Sequence, residues 1–223
     1  MTTPQVRNTA SLTIETLHYP AGDSAALLRL TNWNMAPGVH GVHGESGSGK
    51  TMLLNLLAGK PPASSAFASI ALQDVAWGSK AWPAQVFCED PNDTRWDAMS
   101  GHDVLAYLLQ PAKDEDGRAW SPHRRSQDFL LNGLGLHAHL HKTMYMLSTG
   151  TRRKVFLLAA LLSPRPLVLL DEPTAALDQR SIQTLWYALA VRNRAAHQIT
   201  LVATAAAQAS WPTQPWRGHW QLP

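Results

Sequence analysis

Cysteine is almost absent, since the 223-residue sequence holds only Cys88. A single thiol excludes an internal disulfide and favours a reducing compartment. No apolar run is long enough to cross a bilayer, because the best one, over residues 155–170, is interrupted by the proline-containing segment 163–166. Residues 1–5 show no apolar signal region. We therefore expect a cytoplasmic protein.

An excess of charge of one sign is also missing. The 19 Lys and Arg residues and the 16 Asp and Glu residues leave a formal net charge of only +3. Basic residues adjoin one another only in short runs, at 124–125 and 152–154. Nucleic-acid-binding domains usually carry a basic stripe or patch, so we expect no nucleic-acid partner. A mildly basic surface is compatible with attraction to an anionic membrane.

Strand and helix patterns alternate along most of the chain, which favours a mostly parallel sheet flanked by helices. The predicted strands lie at 11–17, 26–34, 39–43, 69–75, 85–88, 167–170 and 198–204. The predicted helices lie at 52–58, 151–162 and 181–192. The first two strands predict an N-terminal antiparallel β part. We expect a single domain over residues 1–223, with a polar, helical lobe over about 90–150 inserted into the α/β core.

A glycine-rich loop at residues 44–51 is the most informative motif. Its sequence, Gly44-Glu45-Ser46-Gly47-Ser48-Gly49-Lys50-Thr51, fits the phosphate-binding pattern G-x-x-x-x-G-K-[ST]. The glycines let backbone N–H groups turn towards a polyphosphate, Lys50 supplies positive charge, and the Thr51 hydroxyl is a Mg²⁺ ligand. A strand precedes the loop and a helix continues from Met52, an arrangement that binds anions. We therefore predict ATP binding by residues 44–52, with an ordinary Gly/Ser turn as the alternative.

Two carboxylates follow the buried strand at 167–170. Asp171 lies at the carboxyl end of that strand and is placed to hold Mg²⁺ through its water shell, beside the ion bound by Thr51. Glu172 points elsewhere and can polarise a water in line with the γ-phosphate. An acidic pair at a helix start is the alternative interpretation, and the phosphate loop upstream favours the catalytic one.

The segment Leu147-Ser148-Thr149-Gly150-Thr151 completes a set of motifs. The set resembles the nucleotide-binding domain of ATP-binding cassette (ABC) proteins over nearly the whole chain, including its P-loop NTPase core. The segment is similar to the family signature L-S-G-G-Q, with Thr149 and Thr151 in place of Gly and Gln. The resemblance implies that the turn at Ser148, Thr149 and Gly150 contacts an ATP held by the opposite subunit. A plain helix N-cap is the alternative role for Ser148.

Two further positions enter through the resemblance. Asp178, in Ala176-Leu177-Asp178, matches the family's D-loop and implies contact with a second nucleotide-binding domain, in a homodimer or a heterodimer. Tyr19 lies where the family stacks an aromatic side chain on adenine. Packing at a strand end is the alternative role for Tyr19.

Two positions depart from the family pattern. Glu89 stands where the family has a glutamine that touches Mg²⁺ and the attacking water. A glutamate keeps an oxygen ligand but adds negative charge near the triphosphate, and we expect Glu89 to act in catalysis and as a metal ligand, with Lys50 and Glu172 as the other catalytic groups. Where the family has its switch histidine, this chain has Ala205, or Thr204 in a register one residue earlier. This loss predicts slow hydrolysis or completion of the site by a partner.

Three alternating histidines, His137, His139 and His141, would share one face of a strand, as metal ligands can. The neighbouring sequence offers neither a carboxylate nor a cysteine. A solvated or capping cluster is therefore the favoured interpretation over a metal site.

The resemblance implies an ATP-binding and ATP-hydrolysing subunit of an ABC transporter. Two copies would enclose two Mg-ATP and drive a separate membrane permease, with the subunit peripheral on the inner face of the cell membrane. The stretch around Trp96 resembles the face that receives permease helices. The alternatives are an ATP-gated regulatory or assembly module with little hydrolysis, and a soluble ABC protein acting on ribosomes or nucleic acid.

Overall fold

The structure, a computed structural model, describes residues 10–21, 24–60, 67–110, 124–195, 198–205 and 216–222. The strands are β1 Leu12–Ala21, β2 Ser24–Met35, β3 Gly38–Gly44, β4 Phe67–Leu72, β5 Val75–Ala76, β6 Val86–Phe87, β7 Leu167–Asp171, β8 Ile199–Ala205 and β9 Gly218–Gln221. The helices are α1 Lys50–Leu57, α2 Trp82–Gln85, α3 Gly101–Leu108, α4 Arg124–Leu134, α5 Thr149–Leu162 and α6 Gln179–Ala195. No helix in these ranges combines the length and the apolar character needed to cross a membrane.

The central sheet is parallel throughout, with the strand order β6-β7-β8-β3-β9. The prediction of a mostly parallel sheet is therefore confirmed. In the register of this sheet Gly44 pairs with Ala205, and Asp171 pairs with Ala203. The carboxyl ends of parallel strands meet at one edge, where α/β proteins bind their ligands. The phosphate loop and both carboxylates that follow β7 start from that edge.

A second sheet is antiparallel, with the order β2-β1-β4-β5, and it confirms the predicted N-terminal antiparallel part. The prediction of a strand over 69–75 is wrong about where the strand ends. It stops at Leu72, the chain turns at Gln73 with a φ of 52°, and Val75–Ala76 pairs back onto the same strand. A positive φ at a non-glycine residue leaves no clear trace in sequence, which is why the turn escaped prediction.

Apolar side chains cover both faces of the parallel sheet. On one face, Leu53 and Leu57 of α1 pack with Val42 and with the inner side of the antiparallel sheet. On the other face, α5 and α6 supply Leu158 and Leu185 to a core that also holds Val202. Alternate residues of the strands therefore serve two cores, as expected for a sheet buried on both sides.

The described chain between β6 and α5 combines helices with turns and has no strand of the two sheets. It contains α3, α4 and two short 3₁₀ turns, at Thr94–Trp96 and Met144–Met146. Ser100 begins α3 with a capping box, because its hydroxyl accepts from the Asp103 N–H and the Asp103 carboxylate reaches back to the Ser100 N–H. α3 packs on α5, and α4 packs on both α5 and α6. These helices fall inside the range predicted for the inserted lobe, and the boundaries of that lobe stay a prediction.

Candidate nucleotide-binding site

The loop between β3 and α1 has a backbone that requires glycine. Gly49 has a φ of 91°, and a Cβ atom added there would lie 2.9 Å from the Cδ2 atom of Leu28. A Cβ atom on Gly44 would lie 2.3 Å from the hydroxyl oxygen of Ser48. The helix begins at Lys50 directly after this turn, so its unpaired N–H groups face the loop.

Lys50 lies in the mouth of this loop. Its Nζ donates to the carbonyl oxygens of Gly44 at 2.7 Å and of Glu45 at 2.8 Å, and the side chain is only 8% exposed. The loop therefore holds a buried ammonium group among backbone amides. The Ser48 hydroxyl is also buried and finds no hydrogen-bond partner within the described residues. An anionic polyphosphate is a chemically matched partner for both groups.

Thr51 and Asp171 meet across the two motifs. The Thr51 hydroxyl donates to Oδ2 of Asp171 at 2.6 Å, although 120 positions separate them in sequence. Both are hard oxygen donors, both are exposed, and both stand beside Lys50. A hydroxyl and a carboxylate in this position fit a Mg²⁺ ion that keeps several of its waters.

Glu172 follows directly but takes another direction. Its φ is 42°, and its backbone N–H donates to the Ala203 carbonyl at 2.9 Å, which turns the chain sharply at the sheet edge. Burial raises the pKa of its carboxyl, while Lys50 and a hydrogen bond from the Ala205 backbone act in the opposite direction. A carboxylate with a raised pKa is a better proton acceptor for a water than an ordinary one.

These groups face one cavity of about 1060 Å³. Its lining residues are Tyr19, Ser46, Gly47, Gly49, Lys50, Thr51, Met52, Asn55, Leu56, Lys60, Asp90, Asp171, Glu172 and Ala205. The cavity thus brings Tyr19, predicted from the resemblance alone, to the same space as the phosphate loop. It does not include the signature residues 148–150 or Asp178. Throughout, we call it the loop cavity.

A smaller cavity of about 320 Å³ adjoins the loop cavity and shares Thr51, Asp171 and Glu172 with it. Glu89 lines this second space, with its side chain 15% exposed and its carboxylate paired to Arg95. Burial raises the pKa of Glu89, and the charge and hydrogen bond of Arg95 counteract that rise. Sequence reasoning placed Glu89 correctly at this edge but missed its arginine partner.

Ala205, where the family has its switch histidine, ends β8 and lines the loop cavity. Thr204 is fully buried, and its hydroxyl lies 3.3 Å from Nδ1 of His43. Ala205, whose side chain is a methyl group, is the β8 residue that lines the loop cavity.

The signature turn begins α5. Ser148 is its N-cap, and its hydroxyl accepts from the Thr151 N–H at 3.2 Å, so the capping role is real. Ser148 and Thr149 are nevertheless exposed. A Cβ atom on Gly150 would lie 2.7 Å from the Ala176 carbonyl oxygen. Gly150 therefore allows the turn to lie against the segment that leads to Asp178.

Asp178 is bound within its own chain. Its carboxylate pairs with Lys154 of α5 and accepts from the Ser181 N–H at 2.9 Å. These bonds lower the pKa of Asp178 to about 2. The pairing connects the signature helix α5 to the start of α6. In the sequence, only the short basic run at 152–154 hinted at this ion pair.

Arg152 was not predicted to have a role. It lies just after the signature and binds the chain between β6 and α3 at three points: the Pro91 carbonyl, the Asp93 carbonyl at 2.7 Å and the Asp97 carboxylate at 2.6 Å. Its side chain is only 12% exposed. A planar guanidinium suits such a set of acceptors, because its donors form a fixed fork.

One expectation needs correction. Trp96 was expected to be an exposed contact residue, but it is 3% exposed and packs edge-on against Phe156, with the centroids 6.0 Å apart. Its polar neighbours in sequence concealed this burial. The histidines at 137, 139 and 141 lie in turns, and His137 and His141 are exposed, which agrees with the favoured interpretation of a solvated cluster. Within the described residues no group of His, Cys, Asp or Glu side chains is placed to hold a metal ion.

A comparison with protein families places this site in context. The family model described as "ABC transporter" matches residues 29–175. The chain belongs to the ABC transporter family. The resemblance drawn from its motifs is thereby confirmed, and the chain is an ATP-binding subunit of the ABC type, in the enzyme class of ATPases.

The ABC relatives agree with this assignment. The chain is 36% identical over 173 residues to the cytochrome c biogenesis ATP-binding export protein CcmA of Paramagnetospirillum magneticum, covering 73% of each chain. It is 30% identical over 192 residues to the macrolide export ATP-binding/permease protein MacB of Burkholderia cenocepacia, covering 84% of this chain and 28% of MacB. Most of MacB therefore has no counterpart in the match.

Solved ABC structures show the same fold. A putative ABC transporter ATP-binding protein from Pyrococcus furiosus aligns with a TM-score of 0.69 at 20% identity, covering 95% of this chain and 97% of the other. A bacterial Atm1-family ABC exporter with ATP bound aligns with a TM-score of 0.66 at 20% identity, covering 93% of this chain and 37% of the other. These likenesses confirm the predicted P-loop core with its N-terminal antiparallel part.

Proposed function

We propose that this chain hydrolyses Mg-ATP as one of two nucleotide-binding domains that drive a separate membrane permease. The observation that carries the proposal is the contact between Thr51 and Asp171 beside Lys50, with Glu172 one residue further on. That arrangement combines phosphate binding, oxygen donors for a divalent cation and a proton acceptor in one cavity. The proposed cell location is the cytoplasmic face of the membrane, in contact with the permease.

Each group has a distinct task in this proposal. The amides of residues 44–52 and the Lys50 ammonium bind the triphosphate, and Tyr19 lies against the adenine. Thr51 and Asp171 would hold Mg²⁺, which, when bound, neutralises charge on the β- and γ-phosphate oxygens. Glu89, in the adjoining cavity, remains a proposed contact to the ion and the attacking water. Glu172 accepts a hydrogen bond from that water and orients it for attack.

Ala205 lowers the expected rate. A side chain that donates to the γ-phosphate is missing at the end of β8, and loss of one such donor costs about 3–4 kcal/mol of barrier in other enzymes. The hydrogen bond from the Ala205 backbone to Glu172 supports retained orientation of the proton acceptor. We therefore propose slow but measurable hydrolysis.

A second nucleotide-binding domain is needed to give the signature a ligand. Ser148 and Thr149 are exposed and lie outside the loop cavity of their own chain. We propose that Ser148 and Gly150 contact the γ-phosphate bound by a facing subunit, with Thr149 and the segment before Asp178 completing that surface. The same exposure supports either two copies of this chain or a related partner.

The dimer can be tested by size-exclusion chromatography of the Glu172→Gln variant, which should bind Mg-ATP without consuming it. The expected result is a monomer without nucleotide and a dimer with Mg-ATP. Adding Ser148→Arg should abolish the dimer and leave ATP binding intact, because residue 148 lies outside the loop cavity. A Glu172→Gln protein that binds ATP but stays monomeric at high concentration would argue for a different partner domain.

Export is the direction we propose. Both relatives, CcmA and MacB, are named as export proteins. Tyr107 and Tyr145, 56% and 68% exposed, replace the buried Trp96 as candidates for the permease contact. Purification of the tagged chain from detergent-treated membranes tests the partner: a multi-span membrane protein is expected to copurify, and its loss in a Tyr107→Ser, Tyr145→Ser variant would locate the contact.

An ATP-gated regulatory module is the second candidate, and Ala205 is the observation that favours it. Such a module would bind ATP and dimerise in the size-exclusion experiment but release no phosphate. The two candidates therefore differ in a single readout, which is phosphate release by the wild-type chain.

A further inference from the structure

The segment 89–97 contains four acidic residues and one basic residue, Arg95. It leaves β6 at the sheet edge and includes Glu89, which lines the smaller cavity together with Asp90, Asp171 and Glu172. Four carboxylates thus line this cavity against two basic side chains, Lys60 and Arg153, so the lining is acidic on balance next to the loop cavity. A carboxylate that is only 15% exposed, as Glu89 is, requires a cation nearby to remain ionised at low cost.

Arg95 supplies the directly paired cation from the same segment, while Arg165 and Lys60 act on Glu89 through charge without an ion pair. Its guanidinium pairs with Oε2 of Glu89, and its Nε lies 3.1 Å from Oδ2 of Asp93. The guanidinium carbon lies 4.4 Å from the centroid of the Trp96 ring. Because Trp96 is buried, it gives Arg95 a fixed surface to stack on.

The backbone of the segment is held from the other side by Arg152. Its bonds to the Pro91 and Asp93 carbonyls and to the Asp97 carboxylate bracket the position of Arg95. The side chain of Arg95 is 56% exposed, so its position depends on these fixed neighbours more than on burial. Arg152 thereby keeps Arg95 within reach of Glu89.

We propose that Arg95 is a positioning residue for nucleotide binding, whose charge compensates Glu89 so that a carboxylate can occupy this place beside the triphosphate. The ion pair of Glu89 and Arg95 then takes the place of the neutral side-chain amide of the glutamine that the family has at position 89. The inference rests on the proposed function of the loop cavity as the Mg-ATP site. It adds a requirement that the motifs do not contain. Removing Arg95 takes away the paired cation of Glu89 and leaves only the charges of Arg165 and Lys60 to offset that carboxylate beside the triphosphate.

The test is a double-mutant cycle on ATP affinity, with Arg95→Met, Glu89→Gln and the two combined. Binding of a fluorescent ATP analogue is measured at equilibrium in the presence of a metal chelator. Because the chelator removes divalent cations, hydrolysis does not affect the result. Arg95→Met is expected to weaken binding about five- to twenty-fold, as for one charge acting through a partly screened site. Adding Glu89→Gln is expected to restore the affinity to within about two-fold of wild type, since no charge then needs compensation.

Two further variants separate charge from structure. Arg95→Lys keeps the charge and is expected to stay within about three-fold of wild type, even if Arg95→Met folds poorly. Arg124→Met, at an arginine that is 94% exposed and lies 4.0 Å from Asp128, is the matched control and should bind like wild type. Equal weakening in Arg95→Met with and without Glu89→Gln would overturn the proposal, as would wild-type affinity in Arg95→Met.

Failure of the proposed function gives a different result. A wild-type chain that binds the analogue but releases no phosphate from Mg-ATP refutes the hydrolysis claim, and the binding cycle still decides the role of Arg95. A wild-type chain that does not bind the analogue at all refutes both. Recovery of affinity in the double variant, with wild-type affinity in the Arg124→Met control, supports charge compensation whether or not the chain hydrolyses ATP.

Discussion

At the scale of single residues, the proposed hydrolysis depends most on Glu172. Burial raises the pKa of its carboxyl above the ordinary value near ~4.3, and only the ionised form can accept a proton from water. Phosphate release should therefore fall on acidification at a higher pH than an ordinary glutamate would give. The measurement is the rate of phosphate release against pH at saturating Mg-ATP. A rate that stays level down to about pH 4 would contradict the role of Glu172 as proton acceptor.

Gly150 gives a second prediction at this scale. A methyl group there would lie 2.7 Å from the Ala176 carbonyl, which must move, and overpacking of this kind costs about 1–3 kcal/mol of unfolding free energy. Because Ala176 leads to Asp178, Gly150→Ala should also weaken the ATP-induced dimer of the Glu172→Gln variant. Chemical denaturation and size-exclusion chromatography measure the two effects. Unchanged stability and an unchanged dimer would show that the close approach has no consequence.

Sequence reasoning worked best for residues in local motifs. The phosphate loop and the pair Asp171-Glu172 were placed correctly relative to each other, because each lies at the carboxyl end of a parallel strand. Trp96 was placed wrongly, because the polar residues around it hid its inward direction. The arginine partner of Glu89 was missed because nothing in sequence marks which of several basic residues turns back on a carboxylate.

At the scale of elements, ion pairs connect the signature helix α5 to the segment before α3 and to the start of α6. Arg152 reaches the segment before α3, and Lys154 reaches Asp178 at the start of α6. A displacement of α5 must therefore move both segments. This physical connection joins the smaller cavity, the signature turn and the segment before α6 within one chain.

Arg152→Ala tests the first of these connections. It removes three donors from partly buried acceptors, and we expect the unfolding free energy to fall by about 2–4 kcal/mol, with reduced phosphate release. Arg152→Lys should recover less than half of the stability, because an ammonium cannot reproduce the fork. Urea denaturation measures both, with the exposed Arg125→Ala as control. Full recovery by lysine would mean that charge alone matters.

Elements were predicted well where their apolar pattern was long. The helix predicted over 151–162 matches α5 within two residues, whereas the four-residue strand β9 was not predicted. β9 owes its place to parallel pairing with β3 and to the stacking of Trp220 on Trp33 at 5.1 Å. Such a strand forms because an existing sheet offers an edge, and that condition is absent from local sequence.

At the scale of the whole molecule, family membership and fold leave open how fast this chain hydrolyses ATP. The groups that we propose for ATP binding and water activation line one cavity, but β8 ends in Ala205 where the family has a histidine. We propose that Glu172, which accepts a hydrogen bond from the backbone of Ala205, still activates water at a reduced rate. Transport would then depend on a slow motor, or on a partner domain with a complete site.

The most direct measurement is phosphate release by the purified chain with Mg-ATP, compared with the Glu172→Gln variant, after both are shown to bind ATP. We expect the wild-type chain to release phosphate at least about 100-fold faster than the variant, because a positioned proton acceptor usually contributes that much. Equal rates for the two proteins, with ATP bound to both, would contradict the claim that this chain hydrolyses ATP through Glu172.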